Sequence, residues 1–348
     1  MKTKSAITES TTLVSRGKVT LEMVAQEAGV SPSTVSRILN GTAIVSEDKK
    51  NAVDQAISKL GFVPNPVARG LAGGRTMSIG VITQAIDSPF YGAALRGIEE
   101  TFEPLGYSSL FVSGHWNAAT EMRCLDVLKS RYVDGVIILT GRLPDETLSK
   151  LAQTIPVVVT GRNMKSAGLF SLNFDNKQGG EMATQHLIQL GHRKIAFISG
   201  SPEHPDSVER FNGYKSALEA ANIPFDPKLV IQGEYHEVSG LLAVEHLLDT
   251  NQQFTAIFAA NDQMAIGASL GLNRRSLRVP EDVSVIGFDD LPASLYGIPP
   301  LSTIHQPAYE LGQLAATAML QLLAGKKPTA IVPKPQLIVR ESSRRMRR

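Results

Sequence analysis

Residues 20–41 read TLEMVAQEAGVSPSTVSRILNG, and this stretch decides how the N-terminal part folds. Thr20 is a good N-cap, and Leu21, Val24, Ala25 and Ala28 recur at helical spacing, which predicts a first helix from about Leu21 to Ala28. Gly29 ends it, because glycine takes the left-handed conformation that closes a helix, and Val30 can then plug the gap between two helices. Ser31 and Pro32 restart the chain as N-cap and first-turn proline. The second helix, Pro32 to about Leu39, keeps Val35, Ile38 and Leu39 for a core and turns Ser33, Thr34, Ser36, Arg37 and Asn40 outward. Such a short, polar, positively charged face suits contact with nucleic acid.

Ser46, Glu47 and Asp48 start a third helix that runs to about Leu60, with Val53, Ile57 and Leu60 inward and Gly61 at its end. The run T-L-x-x-V-A-x-x-A-G-V-S-x-x-T-V-S-R over residues 20–37 resembles the N-terminal domain of the lac repressor and gal repressor family. The resemblance implies a helix-turn-helix head over residues 19–63 whose second helix enters the major groove of operator DNA. Ser33 and Arg37 then face base edges, Arg37 preferring guanine, while Thr34, Ser36 and Asn40 turn toward phosphates; Thr20 and Ser31 complete the expected DNA-binding set. Pro32 sits at a base-reading position but offers no donor, so it contributes only apolar contact, for instance to a thymine methyl.

Composition favours a small head on a larger body. The chain has 348 residues, 43% of them hydrophobic, enough for two or three folded units. Its formal charge is only +2, yet residues 1–75 hold 10 Lys+Arg against 6 Asp+Glu, and the remainder 25 against 27. That asymmetry suits an N-terminal part that meets phosphates. Residues 1–18 read as a disordered arm with no signal-peptide run, no segment is apolar for the length of a bilayer, and Cys124 is the only cysteine. A cytoplasmic protein with no membrane partner, no disulfide and no cysteine-based zinc site is expected. Arg344, Arg345, Arg347 and Arg348 read as a frayed, solvated tail.

Residues 64–76 form the expected hinge. Pro64 and Pro66 stop the preceding helix, and Gly70, Gly73 and Gly74 disfavour an isolated helix by roughly 1 kcal/mol each. In the family that the chain resembles, this segment orders on the operator, and a leucine at the position of Leu71 wedges between base pairs.

From Met77 onward short apolar strands alternate with amphipathic helices. The expected strands are 78–82, 109–113, 135–139, 157–160, 194–199, 256–259 and 283–287, in two groups with the same architecture. The fold class is therefore an all-α helix-turn-helix head plus an α/β two-lobed body of doubly wound parallel sheets. Lobe 1 should cover about 77–175 and 306–334, and lobe 2 about 176–305 and 335–340. Ligands bind such sheets beyond the carboxyl ends of the strands, where polar and aromatic residues are plentiful here. Carboxylates, amides and an aromatic face suit a polyol. Ser88, Asp262 and Asp290 are read as helix caps or loop side chains, Asp262 capping a helix near Gln263.

The body also resembles the same family, including its fold related to periplasmic sugar-binding proteins. That resemblance implies effector contacts at Phe90, Tyr91, Arg162, Arg210, Tyr235, Asn261 and Asp289. Position 204 carries arginine in some purine-binding members and His204 here, which speaks against a nucleobase; Arg142, Arg162 and Arg210 near one cleft suggest instead a sugar with an acidic or phosphate group, so the expected effector is a sugar, sugar acid or sugar phosphate, with Arg142 and His204 joining the expected contacts.

Two other function classes fit less well. Gly267-Ala268-Ser269-Leu270-Gly271 matches a hydrolase nucleophile elbow, but the pentapeptide falls inside an expected helix, where small residues serve packing. No phosphate loop or dinucleotide fingerprint occurs, and His186, His192, His236 and His305 lack metal spacing, so neither catalysis, cofactor nor metal is expected. A secreted solute-binding protein would have no use for the head. The expected protein is a ligand-responsive repressor of carbohydrate genes that binds palindromic operator DNA as a homodimer, without the leucine heptads of a tetramer after Ile338.

Overall fold

The computed structural model describes residues 19–39, 45–63 and 74–346. Asn40, Leu71, Arg347 and Arg348 lie outside the described residues, as do the expected arm and most of the hinge. The chain divides into two compact units between Thr76 and Met77.

In the first unit, α1 (Leu21–Glu27), α2 (Pro32–Leu39) and α3 (Glu47–Leu60) close around Val24, Ala25, Val35, Val53 and Ala56. Gly29 turns the chain at φ 66°, and Val30 N donates to Ala25 O at 3.0 Å while its side chain packs on the core. Ser31 Oγ accepts from Thr34 N at 3.2 Å and Thr20 Oγ1 from Met23 N at 3.4 Å, so both expected caps form. Ser46 stands at the N-cap of α3 without a side-chain bond; Gly61 closes that helix at φ 63°. A core this small makes caps a substantial part of the head's stability.

The second unit carries two parallel sheets. The first contains β1 (Ser78–Thr83), β2 (Ser108–Ser113), β3 (Gly135–Ile138), β4 (Val157–Thr160) and β5 (Leu169–Leu172), in the order β2-β1-β3-β4-β5. The second contains β6 (Ile195–Ser199), β7 (Val230–Gln232), β8 (Ala256–Ala259) and β9 (Ser284–Ile286), in the order β7-β6-β8-β9. Continuous buried runs such as Val157–Val159 reflect strands covered by helices on both faces. Both sheets reverse strand order beside their first strand, the point where such sheets bind ligands. The pair β10 (Thr303–His305) and β11 (Gln336–Ile338) is antiparallel.

Glycines set the closest helix contacts. A Cβ on Gly240 would lie 2.0 Å from Met264 O, and one on Gly267 1.8 Å from Glu237 O, so helices Glu237–Asp249 and Asp262–Arg274 touch backbone to backbone. Gly97 and Gly312 play the same part between helices Pro89–Phe102 and Ala308–Leu323. Ser269 lies within Asp262–Arg274 and its hydroxyl donates to Ala265 O at 2.9 Å, so the elbow-like pentapeptide is a packing surface.

The structure overturns two expectations. Asp262 does not cap the helix that it begins; Asn261 does, with Oδ1 accepting from Met264 N at 2.9 Å. Asp262 is instead fully buried and gathers Leu291 N, Ser294 Oγ and Thr303 Oγ1 within 2.8 Å, tying the loop after β9 to β10. The C-terminal tail is not frayed as far as Met346: Arg344 N donates to Ser284 Oγ at 3.1 Å and Met346 N to Leu190 O at 2.8 Å. Sequence reading also missed β5, β7, β10 and β11, all of three or four residues.

Candidate functional site

The head presents α2 as expected. Ser31, Ser33 and Arg37 are exposed, Thr34 and Ser36 are half-buried, and Pro32 is exposed at the helix start. Ser31 Oγ lies 2.9 Å from Ser33 Oγ and 2.8 Å from Thr34 Oγ1, so the three hydroxyls act as one linked group at the positive end of the helix dipole. Arg37 follows one turn later.

In the body, a cavity of about 310 Å³ lies beyond the carboxyl ends of strands from both sheets. Phe90, Tyr91, His204, Arg210, Tyr235, Asn261 and Asp289 line it, as do Trp116, Asp206 and Glu234. Sequence reading missed Trp116, although it is the chain's one tryptophan and stands three residues past β2. Its backbone N donates to Gln84 Oε1 at 2.8 Å, and Gln84 Nε2 donates to Thr140 O at 3.4 Å, so a buried amide fixes its place. Ser88 stands at the N-cap of Pro89–Phe102 but makes no capping bond, and it too borders the cavity.

Trp116, Tyr235 and Asp289 have φ of 52°, 63° and 108°, conformations that L residues adopt at a cost. Such outliers cluster where a site dictates side-chain placement. The aromatic face is extensive: Trp116 stacks on His204 with centroids 3.8 Å apart, and Phe90 meets Tyr91 edge-on at 5.4 Å.

Arg210 is the electrostatic centre. Its Nε donates to Asn176 Oδ1 at 2.8 Å, its Nη2 to Gln306 Oε1 at 2.9 Å and its Nη1 to Ala260 O, while the guanidinium lies 3.7 Å over Phe288. Asp289 Oδ1 is 3.5 Å from Nη1. Burial pushes the Asp289 carboxyl up to about 8 against the pull of Arg210, with Asp262 and Asp206 pushing the same way. Burial likewise raises Asp206 and lowers His204, the latter helped by Arg142.

Arg142 and Arg162 do not line this cavity. Arg142 pairs with Glu203, and Arg162 donates to the carbonyls of Gly141 and Leu143 and reaches Asp145 Oδ1 at 3.0 Å. Arg162 borders a separate, more open recess with Asn163, Asp175 and Asp206. Asn261 does reach the cavity, but both ends of its amide are engaged: Oδ1 caps its helix and Nδ2 donates to Tyr235 O at 3.0 Å.

Residues 20–65 match the model of bacterial regulatory proteins, lacI family, and residues 184–343 that of the periplasmic binding protein-like domain. The HTH-type transcriptional repressor PurR of Haemophilus influenzae is 35% identical over 332 residues, 93% of this chain and 98% of its own length. The chain belongs to the LacI family. As a LacI-family protein it is a DNA-binding transcriptional repressor with a helix-turn-helix head and a periplasmic-binding-protein-like body. Among solved structures, the lac repressor dimer bound to operator and the anti-inducer ONPF superposes with a TM-score of 0.81 at 28% identity, over 94% of this chain and 99% of that one. The transcriptional regulator CelR in complex with cellobiose superposes at 0.69 and 34% identity, over 93% and 100%. No helix among the described residues is long and apolar enough to cross a membrane.

Proposed function

We propose that this LacI-family repressor answers to a small neutral sugar held in the cavity between the two sheets, and that the sugar changes its affinity for a palindromic operator read by a homodimer. What carries the reading is the state of the arginines. Arg142 and Arg162 already face Glu203 and Asp145 and lie outside the cavity, and Arg210 spends its donors on Asn176, Gln306 and the Ala260 carbonyl, so the sequence-based case for a sugar acid or sugar phosphate loses its free guanidinium donors. What remains is a cavity with aromatic walls and with acceptors for hydroxyl donors at Asp206, Asp289 and Glu234. The cellobiose bound to CelR is of that class.

On DNA, Ser33 and Arg37 would choose the base pairs, Thr20, Ser31, Thr34, Ser36 and Asn40 would set register through phosphates, and Leu71 would open the minor groove. The test is a thermal-shift screen of neutral sugars, sugar acids, sugar phosphates and nucleobases, with each hit repeated in an operator-binding assay. A neutral sugar should both raise the melting temperature and move operator affinity. A response confined to anionic sugars or nucleobases would refute the reading.

A further inference from the structure

His204 is shared by two near-parallel ring pairs. Its imidazole stacks on Trp116 at 3.8 Å and 22°, and lies 5.9 Å from Tyr235 at 15°. Trp116 follows β2 in the first sheet, whereas His204 follows β6 in the second, so the stack crosses the cleft. Beside it, Arg142 of the first half pairs with Glu203 of the second. The indole face, the best stacking platform in the cavity, is thus covered by a side chain of the protein itself.

We propose that His204 is a specificity-determining residue that works by occupancy: its imidazole fills the stacking position on Trp116 that a flat ring would take. A planar heterocycle that stacks on this indole face must first displace His204. A saturated, hydroxylated ring can use the carboxylate end of the cavity, at Asp206 and Asp289, and leave the stack intact. His204 Nδ1 is buried without a hydrogen-bond partner among the described residues, so the imidazole is held there by its faces. This rests on the sugar reading only in taking the same cavity as the effector site.

Because Trp116 is the chain's single tryptophan, its emission reports the surroundings of this one indole. Full-length wild type, His204→Ala and His204→Phe are compared by tryptophan fluorescence and by titration with adenine, a flat ring without sugar. His204→Ala should change the Trp116 emission and bind adenine at least about tenfold more tightly than wild type, the scale of one base stacked on an aromatic face. His204→Phe, which keeps a ring on the indole, should still exclude adenine. In the wild type, iodide should quench Trp116 far less than free tryptophan amide, a measurement that needs no folded variant. An indole fully open to iodide, or adenine treated alike by all three proteins, overturns the proposal. If wild type answers to no sugar while His204→Ala gains adenine, the occupancy role stands and the sugar reading falls. A sugar response with no difference toward adenine does the reverse.

Discussion

The guanidinium of Arg210 lies 3.5 Å from the carboxylate of Asp289, and the two side chains are 5% and 6% exposed. At that depth neither charge can be rescued by water, so Arg210→Met should destabilise the body by about 3–5 kcal/mol near pH 8, the range for a broken buried pair. The loss should be smaller at pH 5, where Asp289 can take a proton instead. Urea unfolding of both proteins at the two pH values decides it; equal losses would show that the pair is not coupled to that proton.

Asp289 also gives the wild type a pH dependence. Its folded pKa is raised to about 8, above the usual unfolded value of about 4, so between these the folded state holds a proton that the unfolded state has lost. Its stabilising contribution is complete below about pH 4 and is lost as pH rises toward about 8. Asp262 acts in the same direction but its contribution is lost by about 6. Melting temperature should therefore fall from pH 6 to pH 8 more steeply in wild type than in Asp289→Asn, and parallel curves would contradict the assignment.

Arg37→Ala should weaken operator binding by about 1–3 kcal/mol and relax preference at one base pair per half-site. Binding to operators randomised one position at a time measures this. A uniform loss on all sequences would mean that Arg37 meets phosphate.

Ser31→Ala removes the acceptor of Thr34 N and loosens the hydroxyl group formed with Ser33 and Thr34. The head should lose about 1 kcal/mol, a typical N-cap loss. Thermal melts of the head's helical signal would register it, and an unchanged melt would show that solvent serves the cap equally well.

Gly267→Ala improves helix propensity by up to about 1 kcal/mol, yet its methyl would meet Glu237 O at 1.8 Å. Overpacking against a main-chain oxygen should win, with a net loss of about 1–3 kcal/mol in chemical unfolding. A stabilised variant would mean that the two helices part without strain.

The head was legible because caps and glycines act within a few residues of themselves: Thr20, Gly29, Ser31 and Gly61 do what local rules require. The strands β1, β3, β4, β6, β8 and β9 were legible because burial on both faces writes continuous apolar runs. The short strands β5, β7, β10 and β11 take their pairing from neighbours already in place and leave little pattern. In the cavity, residues expected after strand ends, such as His204, Tyr235 and Asp289, do converge, and the same rule applied after β2 would have found Trp116. The partners of Arg142 and Arg162 were beyond reach, since each depends on how loops far apart in sequence fold back. Asp262 was misread for the same reason: its three donors come from 29 to 41 residues downstream.

The left-handed backbone at Trp116, Tyr235 and Asp289 is part of the folded chain without any ligand, so in the proposed effector site these residues are positioned by folding. Ordering those side chains is then a debt of folding rather than of recognition, and affinity is reached with fewer contacts. The corollary is a trade-off that evolution or an engineer would meet at once. Glycine at these three positions would relieve the backbone but surrender the Trp116–His204 stack and the Arg210–Asp289 pair, so the side chains that strain the chain are also ones that hold it together.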